Sequence, residues 1–280
     1  MNANKSISEG VVVTAAPICQ TLVLLQRETR LDVTFNRPEQ RNAINSMMTR
    51  EFSELVDWLA RTPAIRVVSL RGAGGHFCAG GDIKERRNMA DEAGGVQAIE
   101  QRNRDAGHMF LRFARLPQIT IALVEGSAFG GGFGYACLAD ITILTHGARM
   151  GMPETRLGVA PAQIAQWVVR RIGLPRARQL ALTADRFDGA TAYGYGVGQY
   201  LCADDEAESV LEAVVAKVQA CGPLACAATK RIMNAVDEGR EAELIELAAR
   251  EFGRLNGGAE AREGQSAFAQ KRAPVWEAAQ

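Results

Sequence analysis

Histidine is scarce in this 280-residue sequence, with His76, His108 and His146 the only three. A histidine-rich metal site is therefore not expected, and surface or packing roles suffice for each of them. The six cysteines, Cys19, Cys78, Cys137, Cys202, Cys221 and Cys226, show no paired metal spacing. Cys221 and Cys226 lie too far apart for a CxxC and have no histidine close by. Scattered in this way they read as reduced, mostly buried thiols of a cytoplasmic protein. Net charge is missing too, since Lys+Arg and Asp+Glu stand at 32 each. No overall field recruits nucleic acid or an anionic membrane, although a local basic patch stays open. Charge or glycine interrupts each apolar stretch well short of bilayer-spanning length, so no transmembrane helix is expected. Internal repeats and low-complexity tracts are absent. The opening "MNANKSISEGVVVTAAPICQ" holds Glu9 and lacks a proper apolar core for a signal peptide, so residues 1–17 read as a loose leader.

What is present is the balance of a globular chain able to bury a sizeable core, 47% hydrophobic and 23% charged. Leu22–Gln26 and Arg30–Phe35 read as a hairpin. A helix follows, with Met47, Met48, Phe52, Leu55, Val56 and Leu59 as its apolar stripe. "IRVVSLRGAG" is a buried strand ending in glycines. "MADEAGGVQAIEQRNRDAGHMFLRFARLPQ" reads as a mobile acidic and glycine patch followed by a helix. "ITIALVEGSAFGGGFGYACLADITILTHGARMGMPE" reads strand, glycine-rich turn, short helix, strand, strand. Strands and helices alternating in units predict an α/β core with crossovers over residues 18–204. Beyond Asp204, residues 205–280 turn helical and rich in Ala, Glu and Leu.

Two glycine turns follow strands. In "GAGGHFCAGGDIKE" (Gly72–Glu85), Gly81 reads either as a backbone N–H donor at a cleft mouth or as an ordinary loop glycine. In "AFGGGFGYA" the glycines precede a short helix whose first N–H groups lack internal partners. A phosphate loop is the rival reading, but there is no Gly-Lys-Ser/Thr ending and no spaced GxGxxG after the first strand. One N–H from each turn would make an oxyanion hole, suited to a thioester carbonyl that gains negative charge as an enolate. That requires the turns to be neighbours in space. "MGMPETRLGVAP" (Met150–Pro161) supplies an acid, Glu154, amid apolar residues that favour a raised pKa. Its alternative is a glutamate stabilising a helix start.

Five motifs in order resemble the crotonase superfamily, the enoyl-CoA hydratases and isomerases. They are "FNRPEQRNAIN" (Phe35–Asn45), "GHFCAGGDIKE" (Gly75–Glu85), "VEGSAFGGGFGYACLADI" (Val124–Ile141), "MPETRLGVAP" and "EGQSAFAQKRAPVW" (Glu263–Trp276). The resemblance implies a spiral of ββα units and a helical C-terminal region that packs on neighbours in a homotrimer or a dimer of trimers. It implies Gly81 and Gly131 as the oxyanion donors and Glu154 as the acid. Coenzyme A, entering as part of the substrate and not as a separate cofactor, would lie along Arg41–Ala43 and Gly80, Asp82, Ile83 and Lys84. Arg41 and Lys84 would meet its phosphates, or be ordinary solvated charges. Phe268 and Lys271 match positions that in relatives reach the cofactor, often from an adjacent subunit; helix packing with a snorkelling lysine is the alternative.

The sequence departs from the family pattern at Gly134, where two-acid hydratases hold a second glutamate. It departs again at "PAQIAQWVVRRIG", which brings Gln163 and Trp167 to the acyl end of the expected pocket. A single acid is what the family's double-bond isomerases use, and a decarboxylase could rely on the oxyanion hole alone. Yet "RLGVAPAQIAQWVVRRIG" is most similar to hydratases of branched glutaconyl-CoA thioesters, such as isohexenylglutaconyl-CoA. The expected reaction is therefore hydration of a branched or carboxylated 2-enoyl-CoA, with a substrate carboxylate or a polar group such as Gln163 filling the vacancy at Gly134. Isomerisation, decarboxylation and non-catalytic binding of CoA thioesters are the alternatives. Metal, flavin and nicotinamide are not signalled, and no nucleic-acid or membrane partner is expected.

Overall fold

Strands β1 (Leu22–Arg27) and β2 (Arg30–Phe35) pair antiparallel in a tight hairpin. The computed structural model describes residues 16–90, 95–237, 239 and 241–276. Most of the expected leader, and residues 91–94 of the acidic glycine-rich patch, lie outside the described residues.

Helix α1 (Ser46–Ala60) starts where Asn45 accepts a hydrogen bond from the Met48 N–H at 2.9 Å, which satisfies one of the helix's open donors. Its buried face holds Met48, Phe52, Leu55, Val56 and Leu59, but Met47 is not fully buried and Trp58 and Glu51 are. The Glu51 carboxylate accepts from the Gln20 and Thr21 N–H groups at 2.8 and 2.9 Å, pinning the chain before β1. Burial pushes the pKa of Glu51 up, but these hydrogen bonds and the Thr21 hydroxyl outweigh it and hold the pKa below the usual range.

Thereafter the chain repeats a unit. Strand β3 (Val67–Gly72) leads through the first glycine turn to α2 (Ile83–Ala90) and α3 (Gly95–Ala114). Strands β4 (Ile119–Val124) and β5 (Ser127–Phe129) lead through the second glycine turn to α4 (Gly131–Leu138). Strands β6 (Ile141–Thr145) and β7 (Arg149–Gly151) lead to α5 (Ala165–Ile172) and α6 (Leu174–Thr183). Then come β8 (Arg186–Asp188), α7 (Gly189–Gly194), β9 (Tyr200–Cys202) and α8 (Ala207–Gln219). Six strands form one sheet ordered β1-β2-β3-β4-β6-β9, parallel from β2 onward. Three short strands form a small sheet ordered β5-β7-β8. Strand β5 lies where the sequence reading has only a turn: three residues suffice because Cys78 of the first turn bridges Ala128 on one side and β7 pairs on the other.

The parallel part of the main sheet is buried on both faces, as such a sheet requires, while the antiparallel edge strand β1 is largely exposed. Val68, Leu70, Ala122, Val124 and Leu144 face the core made with α1, α3 and α4. The alternate residues Val67, Ile121, Leu123 and Ile143 pack on Leu211, Val214 and Val215 of α8. Helix α8 therefore covers the sheet, although it lies beyond the change in composition at Asp204. The α/β spiral of ββα units with a C-terminal helical region is the observed architecture.

That region comprises α9 (Pro223–Asp237), α10 (Glu241–Asn256) and α11 (Ala259–Gln270). Lys230 of α9, 9% exposed, donates to Asp140 Oδ2 at 2.7 Å and to the Gln118 carbonyl at 2.9 Å. Asp140 also accepts from the Thr120 N–H and hydroxyl. Replacing Lys230 with Met should cost roughly 2–4 kcal/mol in chemical denaturation, because a mostly buried carboxylate loses its counter-ion. A variant as stable as the parent would show that α9 is held by apolar packing alone. Among the described residues no single helix is long and apolar enough to cross a membrane.

Candidate active site

The two glycine turns meet. The Cys78 N–H donates to the Ser127 carbonyl at 2.8 Å and the Phe129 N–H to the Cys78 carbonyl at 3.0 Å, so the first turn is stitched alongside β5. The Ile44 N–H donates to the Gly80 carbonyl at 2.7 Å and the Asp82 N–H to the Ile44 carbonyl at 2.9 Å, which supports Gly81 from its other side. Gly130 has φ 51° and ψ −119°, a conformation that L side chains rarely adopt. A side chain there would place its Cβ 2.8 Å from Glu154 Oε1 and 3.9 Å from Gly80 Cα. One position thus ties together the second turn, the first turn and the acid. Gly131 opens α4, and the helix's first bond, from Gly134 to Gly130, lies beyond it. Its N–H is among those that a helix cannot satisfy internally.

Gly81, Gly131 and Glu154 line one cavity of about 410 Å³. Ile44, Met109, Phe110 and Ile164 give it apolar walls, and Tyr135 closes it from α4. Tyr135 belongs to a packed aromatic group, its ring centroid 5.0 Å from Phe52, 5.1 Å from Phe110 and 5.3 Å from Phe35. These contacts hold α4, and hence the Gly131 N–H, in place. Burial raises the Tyr135 phenol well above its usual pKa, so it stays neutral. Burial likewise pushes the Cys78 thiol up to about 12, which leaves it inert as a nucleophile beside the glycine turn.

Asp82 is held below the usual carboxylate range: burial opposes this, but the Arg37 guanidinium at 3.0 Å and the N–H groups of Glu85 and Lys84 outweigh it. A depressed folded-state pKa contributes stability above the unfolded value of ~3.9, and that contribution is lost as pH falls through the lower folded value. Asp82→Asn should therefore lose about 1–3 kcal/mol at neutral pH, and the gap to the parent should close below about pH 4. A gap that is constant with pH would contradict this account.

The other expected residues separate into three groups. Arg41 and Lys84 are exposed and Ala43 is partly buried, beside the first turn. Arg37 also donates to the Ala43 carbonyl. Asn42, given no role of its own within the expected Arg41–Ala43 stretch, is fully buried; it accepts from the Arg37 N–H and donates to the Ala73 and His76 carbonyls, bracing that turn. Only its place between Arg41 and Ala43 hinted at this. Phe268 is 87% exposed on α11, and Lys271, with φ 55°, ends that helix; neither lines the cavity of this single chain.

At the acyl end the structure corrects two expectations. Gly134 is not a polar vacancy: a Cβ there would stand 2.5 Å from Ile164 Cγ2, so an isoleucine occupies the space. Trp167 does not line the cavity. It is 6% exposed, packed in the core beside Val168, with the Arg170 guanidinium 4.8 Å from its ring centre. Gln163 does line the cavity, but its amide is tied to Asn103 of α3 at 3.0 Å. Among the described residues no three His, Cys, Asp or Glu side chains gather as metal ligands would.

Two glycine turns, one carboxylate and an apolar cavity thus come together on a ββα spiral. The enoyl-CoA hydratase/isomerase family profile matches residues 27–279. The chain is 32% identical over 249 residues to the mouse mitochondrial enoyl-CoA hydratase domain-containing protein 2, covering 87% of this chain and 82% of that protein. The structure of Pseudomonas aeruginosa AtuE is similar with a TM-score of 0.87 and 44% identity, covering 92% of this chain and 99% of that one. An enoyl-CoA hydratase/isomerase from Marinobacter aquaeolei aligns with the same TM-score and coverage at 40% identity. The chain belongs to the enoyl-CoA hydratase/isomerase family, the crotonase superfamily, and its reaction is of that type on an acyl-CoA thioester.

Proposed function

We propose that the enzyme hydrates a branched or carboxylated 2-enoyl-CoA of the glutaconyl-CoA type, isohexenylglutaconyl-CoA being one such substrate. The thioester oxygen accepts hydrogen bonds from the N–H groups of Gly81 and Gly131, which stabilise the charge that develops as the enolate forms. Glu154 takes a proton from water as the water oxygen bonds to C3, and returns a proton to C2 as the enolate collapses. The observation that carries this reading is the placement of the Glu154 carboxylate against the Gly130–Gly131 turn. The apolar walls favour a branched acyl tail, and Arg102 offers a cation in the same cavity.

Isomerisation is the second reading, supported by the closure of the Gly134 space by Ile164, which leaves Glu154 as the single acid of the expected pair. There the same carboxylate would remove an α-proton and return it at the γ-carbon. Assaying the purified protein with 3-methylglutaconyl-, isohexenylglutaconyl-, crotonyl- and 3-enoyl-CoA separates them. Hydration of the glutaconyl esters supports the proposal; turnover confined to 3-enoyl-CoA rejects it in favour of isomerisation. CoA esters that bind without any turnover would make the chain a binding protein.

Self-association as a trimer or a dimer of trimers accompanies this reading. Ile245, Phe252 and Phe268 on α10 and α11 are 75%, 71% and 87% exposed, an apolar cost that a neighbouring subunit would relieve. Light scattering on a sizing column should return a mass near three or six chains; a monomer at micromolar concentration would refute the assembly.

A further inference from the structure

Gly107 sits inside α3, where glycine is a poor helix former. Its reason is Gln163: a Cβ at Gly107 would lie 2.5 Å from Gln163 Oε1 and 2.7 Å from Cδ, so the carboxamide lies flat on the helix. One turn earlier on α3, Asn103 Oδ1 accepts from Gln163 Nε2 at 3.0 Å. The residue before Gln163, Ala162, has φ 46°, a left-handed conformation that is costly for a side-chain-bearing residue. Gln163 thus lies over a helical glycine and directly follows a residue in the left-handed region.

Beside Asn103, Arg102 pairs with Glu85 at 2.7 Å, and Glu85 is itself anchored by the Ser46 N–H. Among the described residues Arg102 is the one cationic side chain lining the cavity. Of the acids there, Asp82 is paired with Arg37 and Glu100 with Arg104. Arg102 also lines a second cleft of about 620 Å³ between α1 and α3, and so stands where the two spaces meet.

We propose that Arg102, Asn103 and Gln163 form the part of the acyl cavity that reads a carboxylate carried by the acyl group. Arg102 Nη1 pairs with Glu85 and Nη2 donates to the Ile44 carbonyl at 3.5 Å. With five donors in a fixed fork, the guanidinium can donate to a substrate carboxylate beside Glu85 or in exchange for the long contact to Ile44. Gln163 holds the Asn103 carboxamide so that its amino group can donate to the same carboxylate. This rests on the proposed substrate class and names the residues that would select it.

Calorimetry with two saturated esters that cannot be hydrated, glutaryl-CoA and pentanoyl-CoA, tests it on the full-length protein. The parent should bind glutaryl-CoA about tenfold or more tightly than pentanoyl-CoA, the scale of a charge-assisted hydrogen bond. Arg102→Gln should erase that preference by weakening glutaryl-CoA alone. Gly107→Ala, which unseats Gln163 without removing a charge, should reduce the preference severalfold. No preference in the parent, or equal weakening of both esters by Arg102→Gln, overturns the site. A preference for glutaryl-CoA without turnover of any glutaconyl ester would keep the site and reject the proposed reaction. Hydration of glutaconyl esters with the preference intact in Arg102→Gln would reject the site alone.

Discussion

Glu154→Gln should lower kcat about a thousandfold with little change in KM, the usual range for loss of a general acid–base group. That corresponds to about 4 kcal/mol of transition-state stabilisation. Glutamine keeps the shape of the side chain against Gly130, where the carboxylate now packs, so thioester binding should survive. Steady-state kinetics and a binding isotherm on the same variant check both halves. Unchanged turnover would remove Glu154 from the chemistry. A decarboxylation carried by the two backbone donors alone would lose far less, so the size of the effect also discriminates between reactions.

Gly134→Glu, which installs the second acid of a two-acid hydratase, should fail to create one. The new Cβ would meet Ile164 Cγ2 at 2.5 Å and Ile164 Cβ at 3.0 Å, inside a helix whose neighbouring residues are buried. Overpacking and an added buried carboxyl together should destabilise the fold by about 3 kcal/mol or more. Hydration of crotonyl-CoA should not rise. Adding Ile164→Ala should recover part of the lost stability, because it opens the occupied space. Thermal melts of the single and double variants measure this. A single variant as stable as the parent would show that Ile164 moves aside freely, and the acyl end would then be more plastic than the packing implies.

Strands β1–β4, β6 and β7 and both glycine turns were legible because their signals are local: apolar runs ending in glycine, and a triple glycine that only close backbone approach explains. Strands β5, β8 and β9, of three residues each, carried no such signal. Glu154 was legible as an acid among apolar neighbours, and the structure places it beside the second turn. The acyl end was not legible. Ile164 against Gly134 and Gln163 against Gly107 are fits between distant segments, and a glycine in sequence says nothing of which side chain lies over it. Periodicity also misjudged α1, where Glu51 is buried because backbone donors from Gln20 and Thr21 satisfy it. Trp167 was misplaced for a related reason: an indole in a new segment marks core packing as readily as a pocket wall.

The account stands on main-chain donors from Gly81 and Gly131 converging on one thioester oxygen. Infrared difference spectroscopy of a bound enoyl-CoA carrying a ¹³C-labelled thioester carbonyl tests this directly. The carbonyl stretch should move to lower frequency on binding, and by the same amount in Glu154→Gln, because the donors are backbone groups independent of that acid. A carbonyl frequency unchanged from that of the free ester in water would contradict the account.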